Sequence, residues 1–421
     1  MSLQSLRAPL WVLIAAFFLA ACGGSSNKDL PGPPVGGLSL EPGDSQVTVS
    51  WKETPGVEYW IFASPNNPNV SMSTWLASTG STYRLKVNSP FIVSGLLNGT
   101  PYSFFMTSRV NSGPGGEASP TVISTPRLAG SVWKAGTKLN TGAKTGMTYG
   151  GVIDTATNTV KYVYVAVGQE GRMFSASSID AWTALTPVIK TDLNTAGFGL
   201  GKFLVLGAAG KILYSTDAQT WLTATSATSQ NLNALAVSGN FAVAVGDNGT
   251  IITSKDAMNW SIAKSVPTTA HLLGVTYAPN GTWAAVGASG TLLTSSDGLT
   301  WTSQTTGTLS DLKTVGALAT AVNTTTNTYT YVAVGNNGTI ISSPDALTWT
   351  TRNAGTSESF NDMSSINQFL AVGSRGTIVT SSDGINWTQQ TSNSVINLNT
   401  LLRADNQYVV VNSAGDLIYS K

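Results

Sequence analysis

Cysteine, histidine and charge are nearly missing from this 421-residue chain, which has one cysteine, Cys22, and one histidine, His271. No disulfide can form within it, so an exported chain of this size must rely on its core alone. Thiol chemistry, Cys-based metal sites and a His-rich zinc centre are excluded, and a Ser-His-Asp arrangement would have to use His271. No cofactor or metal is expected. Charged residues make up 10% of the chain, against about 25% in ordinary globular proteins. With a net charge of +1 there is no basic stripe for phosphates, which argues against nucleic acid as a partner. The surface must instead be Ser, Thr, Asn and Gly, as in exported β-proteins that meet other surfaces.

Arg7 precedes the apolar stretch 8–21, which ends in "LAAC" at 19–22. A bilayer span needs about 20 apolar residues, so this stretch is too short to cross but suits an export signal. Small residues directly before a lone cysteine resemble the lipobox of bacterial lipoproteins. The resemblance implies that 1–21 is a signal peptide, removed before Cys22 is lipidated, and Gly23 in place of Asp implies the outer membrane. The expected location is the bacterial envelope, facing either way. Residues 22–34, with "GGSSNKDLPGPP" after the cysteine, lack apolar periodicity and read as a flexible leash.

From 35 to 126 short alternating runs suggest a β-sandwich: "SQVTVSW" (45–51), "VEYWIFA" (57–63), "YSFFMTSRV" (102–110) and "SPTVISTP" (119–126). "LLNGTPYSFFM" (96–106) resembles the tyrosine corner of fibronectin type III domains, and Trp51 matches their core tryptophan. Tyr102 is then a structural hydrogen-bonding residue. Such a domain is a spacer or a protein-binding module.

From 128 to 421 the chain repeats. Gly168, Gly207, Gly246, Gly287, Gly335 and Gly373 each open a turn, with Asn412 in the seventh place. Three residues on lie Gly171, Gly210, Gly249, Gly290, Gly338, Gly376 and Gly415. Eleven residues beyond the first six of these stand Trp182, Trp221, Trp260, Trp301, Trp349 and Trp387. Fixed spacing inside units and variable gaps between them mark propeller blades of four strands. The seventh unit stops after its third strand, while "SVWKAGT" (131–137) offers Trp133 with no blade of its own. The fold class expected is all-β: a fibronectin type III-like sandwich, then a seven-bladed propeller closed by the Trp133 strand.

The pattern S-x-D-x-x-x-W places Asp217, Asp256, Asp297, Asp345 and Asp383 at matching positions and resembles the Asp-box of BNR repeats; Ser178 replaces the acid in the first unit. Five equivalent acids spread around a ring cannot meet at one scissile bond, so they are read as turn-formers. The resemblance puts them on the face away from an active site. The opposite face carries the G-x-x-G turns, where "DNG" and "NNG" suit type I′ geometry. Its candidate ligand residues are Glu170, Asp247 and Arg375 on the turns, and Asp192, Asn231, His271, Asp311, Ser359 and Asn397 before the inner strands. By register the latter six should ring the mouth of the central channel, where wet polar residues also need no ligand.

Sialidases share the Asp-box; glycoside hydrolysis usually needs two carboxylates within about 5–9.5 Å, and sialidases add an arginine cluster and a Tyr–Glu pair. From Trp133 onward there are only Arg172, Arg352, Arg375, Arg403, Glu170 and Glu358, and "FRIP" is absent. Asp192 with Asp311 is the pair left for hydrolysis. The motif order "AVGxxGTI" then "SSDGxxW" is similar to the photosystem II assembly and stability factor family, whose seven-bladed propeller binds protein subunits. The expected function is therefore a non-catalytic, lipid-anchored monomer that binds a protein or glycan at the envelope. A sialidase-like glycoside hydrolase is the alternative.

Overall fold

The computed structural model describes residues 30–420, apart from 66–71, 76–77, 143–144, 155 and 323–326. The signal 1–21, Cys22 and the leash as far as residue 29 lie outside the described residues. The chain forms two compact units, the second being Gly130–Ser420.

In the first unit, β1 (Ser39–Gly43), β2 (Gln46–Ser50) and β5 (Phe91–Ser94) form one antiparallel sheet. The other sheet contains β3 (Glu58–Pro65), β4 (Thr82–Val87), β6 (Tyr102–Arg109) and β7 (Val122–Ser124), in the order β4-β3-β6-β7. Val47, Val49, Trp51, Tyr59, Ile61, Phe104 and Met106 fill the space between the sheets. Tyr102 is buried, and its Oη accepts the Leu97 N–H at 3.2 Å. The run "YSFFMTS" is buried on both faces because the helical turn α1 (Met72–Trp75) lays Trp75 over Phe62 and Phe105. That second covering explains an almost continuous apolar strand where alternation would be expected of a half-solvated sheet. The strands β1, β4 and β5 were not foreseen; Pro42 and the charged Arg84 and Lys86 disguise two of them.

The second unit contains seven four-stranded antiparallel sheets. Their inner strands are Thr145–Asp154, Leu193–Gly199, Leu232–Ser238, Leu272–Tyr277, Leu312–Val322, Phe360–Ser364 and Leu398–Ala404. Each inner strand touches the next, and the seventh touches the first, so the sheets close into a propeller. The apolar core lies in wedges between blades: Val243, Val245 and Trp301 with Trp283 between blades 3 and 4, for example.

Blade 7 is completed from the other end of the unit. Strand β8 (Lys134–Lys138) pairs with Asp416–Ser420, matching Lys134 with Tyr419 and Ala135 with Ile418. Trp133 is buried beside it, its Nε1–H donating to Gly130 O at 3.0 Å. Closure by the Trp133 segment thus matches the sequence expectation, and it removes the free edges that an open ring would expose.

The two glycines of each turn have different causes. Gly335 is in extended backbone, and a Cβ there would stand 1.9 Å from the Asp311 carbonyl oxygen. Close approach, not dihedral freedom, excludes a side chain. Gly338 has φ +67°, and a Cβ would also lie 2.2 Å from Thr356 O. Together with Asn337 (φ 56°) it supplies the two left-handed central residues of a type I′ turn, closed by Thr339 N–H to Asn336 O at 3.1 Å. In the seventh turn Asn412 replaces the first glycine, and its Oδ1 accepts the N–H groups of Ala414 and Asp416, both at 2.9 Å.

Candidate functional site: the face of the G-x-x-G turns

Each of the first six turns presents one backbone N–H, on its left-handed central residue, that its own blade leaves unbonded. The residue before the next blade's inner strand supplies the acceptor. Asp192 Oδ1 takes the Glu170 N–H (3.0 Å), Asn231 Oδ1 that of Ala209 (3.0 Å), and Asp311 Oδ1 that of Ser289 (2.9 Å). Ser359 Oγ takes the Asn337 N–H (3.1 Å) and Asn397 Oδ1 that of Arg375 (3.0 Å). The same residues bond the following turn of their own blade through their carbonyls, as Asp192 O does with the Ala208 N–H at 2.9 Å. The six side chains expected around the channel mouth are therefore fasteners between adjacent blades. They recur because these six junctions have the same orphan donor to satisfy. At the seventh junction the Ala414 N–H is already taken by Asn412, and Thr141, missed in the sequence, occupies the matching place in blade 1, where its carbonyl accepts the Gln169 N–H at 2.9 Å.

His271 is the exception among the fasteners. Its Nδ1 lies 3.4 Å from the Asn248 N and 3.1 Å from Asp247 Oδ1. Asp247 also accepts the amides of Asn231 (2.8 Å) and Asn233 (2.9 Å). Burial pushes the Asp247 carboxyl up, but these bonds and the neighbouring imidazole outweigh it and hold the group below the usual range. We expect His271→Asn to keep the fastener, since Asn231 and Asn397 serve at equivalent places, whereas His271→Leu should cost about 0.5–1.5 kcal/mol, the net contribution of one hydrogen bond, by removing the acceptor of the Asn248 N–H. Urea unfolding of the two variants checks this; equal loss in both would contradict it.

The turns also hold two ion pairs, Arg172 with Glu170 at 2.8 Å and Arg375 with Glu358 at 3.6 Å. The structure brings Asp247, Asn231 and His271 together, but does not pair Asp192 with Asp311. Asp192 belongs to the junction of blades 1 and 2; Asp311 joins blades 4 and 5 and also accepts the Asn336 amide at 3.1 Å. Among the described residues no group of three or more His, Cys, Asp or Glu side chains is placed to hold a metal ion.

Two features of the channel wall were missed. Asn194, Asn233 and Asn361 each donate from Nδ2 to the inner-strand carbonyl of the next blade, at Leu232, Leu272 and Leu398, all at 2.9 Å. The repeated Leu-Asn or Phe-Asn at strand starts was a legible signal. Asp362 is the second: its carboxylate accepts the N–H groups of Met363 and Leu401, both at 2.8 Å, bridging blades 6 and 7. Burial pushes its carboxyl up to about 6. Beside the same register shift blades 2, 3, 4, 5 and 7 carry Thr195, Ala234, Gly274, Thr314 and Thr400, and blade 1, paired without the shift, has Gly146 at the matching place, so the charge is peculiar to blade 6.

The Asp-boxes lie at the opposite ends of the strands. Asp297 Oδ1 accepts the N–H groups of Leu299 and Thr300, both at 2.8 Å, and the Ser295 hydroxyl at 3.0 Å. Trp301 Nε1–H then reaches Gly298 O at 3.1 Å. Asp217, Asp256, Asp345 and Asp383 repeat the bonds to the two following N–H groups. At Ser178 in blade 1 the bond that remains is a backbone one, Ala181 N–H to Ser178 O at 3.1 Å. The backbone bonds from Thr300 and Leu299 hold the Asp297 carboxyl below its ordinary value. A depressed folded pKa adds stability above the unfolded value near 3.9, lost as pH falls through the folded one. Asp297→Ala should cost about 1–3 kcal/mol at neutral pH, measured by urea unfolding, and should reduce the acid sensitivity below pH 4. A stability unchanged by the substitution would contradict the turn role.

No protein-family model and no curated protein matches the chain. Solved structures do share the fold of its propeller. A YCF48 bound to D1 peptide is 22% identical with a TM-score of 0.54, covering 70% of this chain and 99% of that one. YCF48 from Cyanidioschyzon merolae is 15% identical with a TM-score of 0.51, covering 68% and 98%. A virginiamycin B lyase from Staphylococcus aureus is 10% identical with a TM-score of 0.56, covering 69% and 100%. At these identities the likeness is one of fold.

Proposed function

We propose that the chain is a non-catalytic lipoprotein of the bacterial envelope, anchored through Cys22, whose propeller holds a protein partner on the G-x-x-G face. The sandwich, read as a fibronectin type III domain from its tyrosine corner, serves as a spacer. One observation carries the binding role. Leu309 and Val395 stand at the same place in their loops, two residues before Asp311 and Asn397, and both are 86% exposed. The equivalent residues elsewhere are Lys190, Ser229, Thr269 and Ser357. Large apolar side chains held almost entirely in water on a rigid rim suit anchors for a macromolecule better than contacts for a sugar. A propeller of the same fold bound to a peptide, the YCF48 complex, supports this reading.

Proximity labelling from native membranes tests it, with the double variant Leu309→Ser, Val395→Ser as the control. Partners labelled by the wild type and lost in the variant support the proposal; identical labelling overturns it. Glycoside turnover abolished by Asp192→Ala or Asp311→Ala would favour the hydrolase reading, and a glycan-array signal that survives the double variant would favour a sugar ligand. For the anchor, Cys22→Ser should abolish fatty-acid incorporation.

A further inference from the structure

The first two strands of blade 1 run beyond its third strand. Pairing between Thr145–Asp154 and Thr159–Gly168 continues to Thr159, whereas pairing with the third strand ends at Tyr164. The excess is a two-stranded ribbon at the Asp-box end of the blade. One face is apolar and open to solvent. Ile153 and Val160 are cross-strand partners, 66% and 55% exposed. Tyr162, 56% exposed, lies opposite Gly151 and stacks on Tyr149 with centroids 5.2 Å apart and planes 14° apart. Tyr149 in turn contacts Tyr164, 4.5 Å between centroids. Lys161 points to the other face, where it pairs with Asp154.

Next to this tyrosine stack is the hairpin tip of blade 7, Asp405 and Asn406, both in left-handed backbone. Asp405 is exposed and has no ion-pair partner among the described residues. The tip is tied to the stack on both sides: Gln407 donates from Nε2 to Tyr164 Oη at 2.9 Å, and Ala404 packs in the same core as Tyr164 and Tyr149. Arg403, two residues earlier, is buried with its guanidinium 4.9 Å from the Tyr408 ring.

Covering of Gly151 by Tyr162 and Val160 accounts for the inner part of this arrangement. It does not account for the exposed Asp405 carboxylate, without an ion-pair partner among the described residues, beside a stack whose outer ring, Tyr162, is open to solvent. Electron-rich ring faces beside a negative charge, with aliphatic side chains alongside, are complementary to an organic cation carried on an apolar backbone. We propose that the Tyr149–Tyr162 stack and Asp405 form a second docking site, which takes a lysine or arginine side chain of a partner protein, with the apolar neighbours of that residue lying on Ile153 and Val160. This site is at the opposite ends of the strands from the G-x-x-G turns and stands or falls independently of the function proposed above.

The test uses the full chain and a fluorescein-labelled peptide alternating arginine and leucine, followed by anisotropy at low and physiological salt. Wild type should bind, more weakly as salt rises, and Asp405→Asn and Tyr162→Ser should each weaken binding about tenfold. Both positions are exposed, and unchanged urea midpoints establish that folding is intact. Leu309→Ser, Val395→Ser should bind the peptide as wild type does, separating this site from the other face. Equal binding by wild type and the two site variants, equal binding of a peptide with glutamate for arginine, or absence of binding would overturn the proposal. So would sedimentation with phosphatidylcholine vesicles lost in Tyr162→Ser, which would assign the cation to a lipid.

Discussion

Trp133→Ala should lower the stability of the propeller by about 3–5 kcal/mol, the range for deleting a buried tryptophan, and its effect should exceed that of Trp387→Ala. The two residues hold equivalent outer-strand positions but do different work. Trp387 is only partly buried, and its indole N–H has no partner, so removing it sacrifices less packing and no hydrogen bond. Trp133 is buried, bonds Gly130 O, and precedes the strand that ties the start of the unit to its end. Behind that pairing lies a shared core, with Leu139 and Leu417 packed among Val409, Val411, Tyr164 and Ala166 of blades 7 and 1. Removing 416–420 should therefore prevent cooperative folding altogether, because blade 7 would lose its third strand and β8 its only sheet partner. Urea unfolding followed by tryptophan fluorescence and circular dichroism measures both effects. A Trp133→Ala midpoint equal to that of Trp387→Ala would refute the role given to closure.

Asp362 should make the propeller more stable as the pH falls from about 6 to about 4. The sign follows from the raised carboxyl. With a folded pKa of about 6 against an ordinary value of 3.8, the folded chain binds more protons than the unfolded chain between those values, so acid favours folding there. At 1.36 kcal/mol per pH unit the group withholds at most about 3 kcal/mol at neutral pH, released on protonation. The Asp-boxes act with the opposite sign and in a lower window, below about 4, so the two effects are separable. Urea midpoints across pH 4–7.5 should slope downward with rising pH in the wild type and flatten in Asp362→Asn. The amide replaces only one of the two acceptor oxygens, so the variant also loses a bond to Met363 or Leu401 at every pH. A wild-type profile flat between pH 4 and 6 would show that the channel wall solvates this carboxylate.

The repeat was readable because its causes are local. Gly338 must be left-handed and Gly335 must admit a carbonyl at close range. Asp297 must be two and three residues before the N–H groups it accepts. Such constraints act within a few residues and fix residue type at fixed spacing, so seven units, the turn type and the missing strand could be counted along the chain. The aromatic covering over Phe105, the fastener role of Asp192 and its counterparts, and the bridging by Asp362 could not. Each depends on what a different strand presents across a gap of twenty or more residues.

Sequence alone determined the number of blades, the closing tryptophan and the turn positions of the five acids, since each is set by short-range geometry that repeats. Tertiary structure decided which polar side chains were already engaged between blades, which carboxylate was drawn into the bridge between blades 6 and 7, and which apolar groups remained in water. Those properties belong to neighbours brought together by ring closure, and no single stretch of the chain carries them.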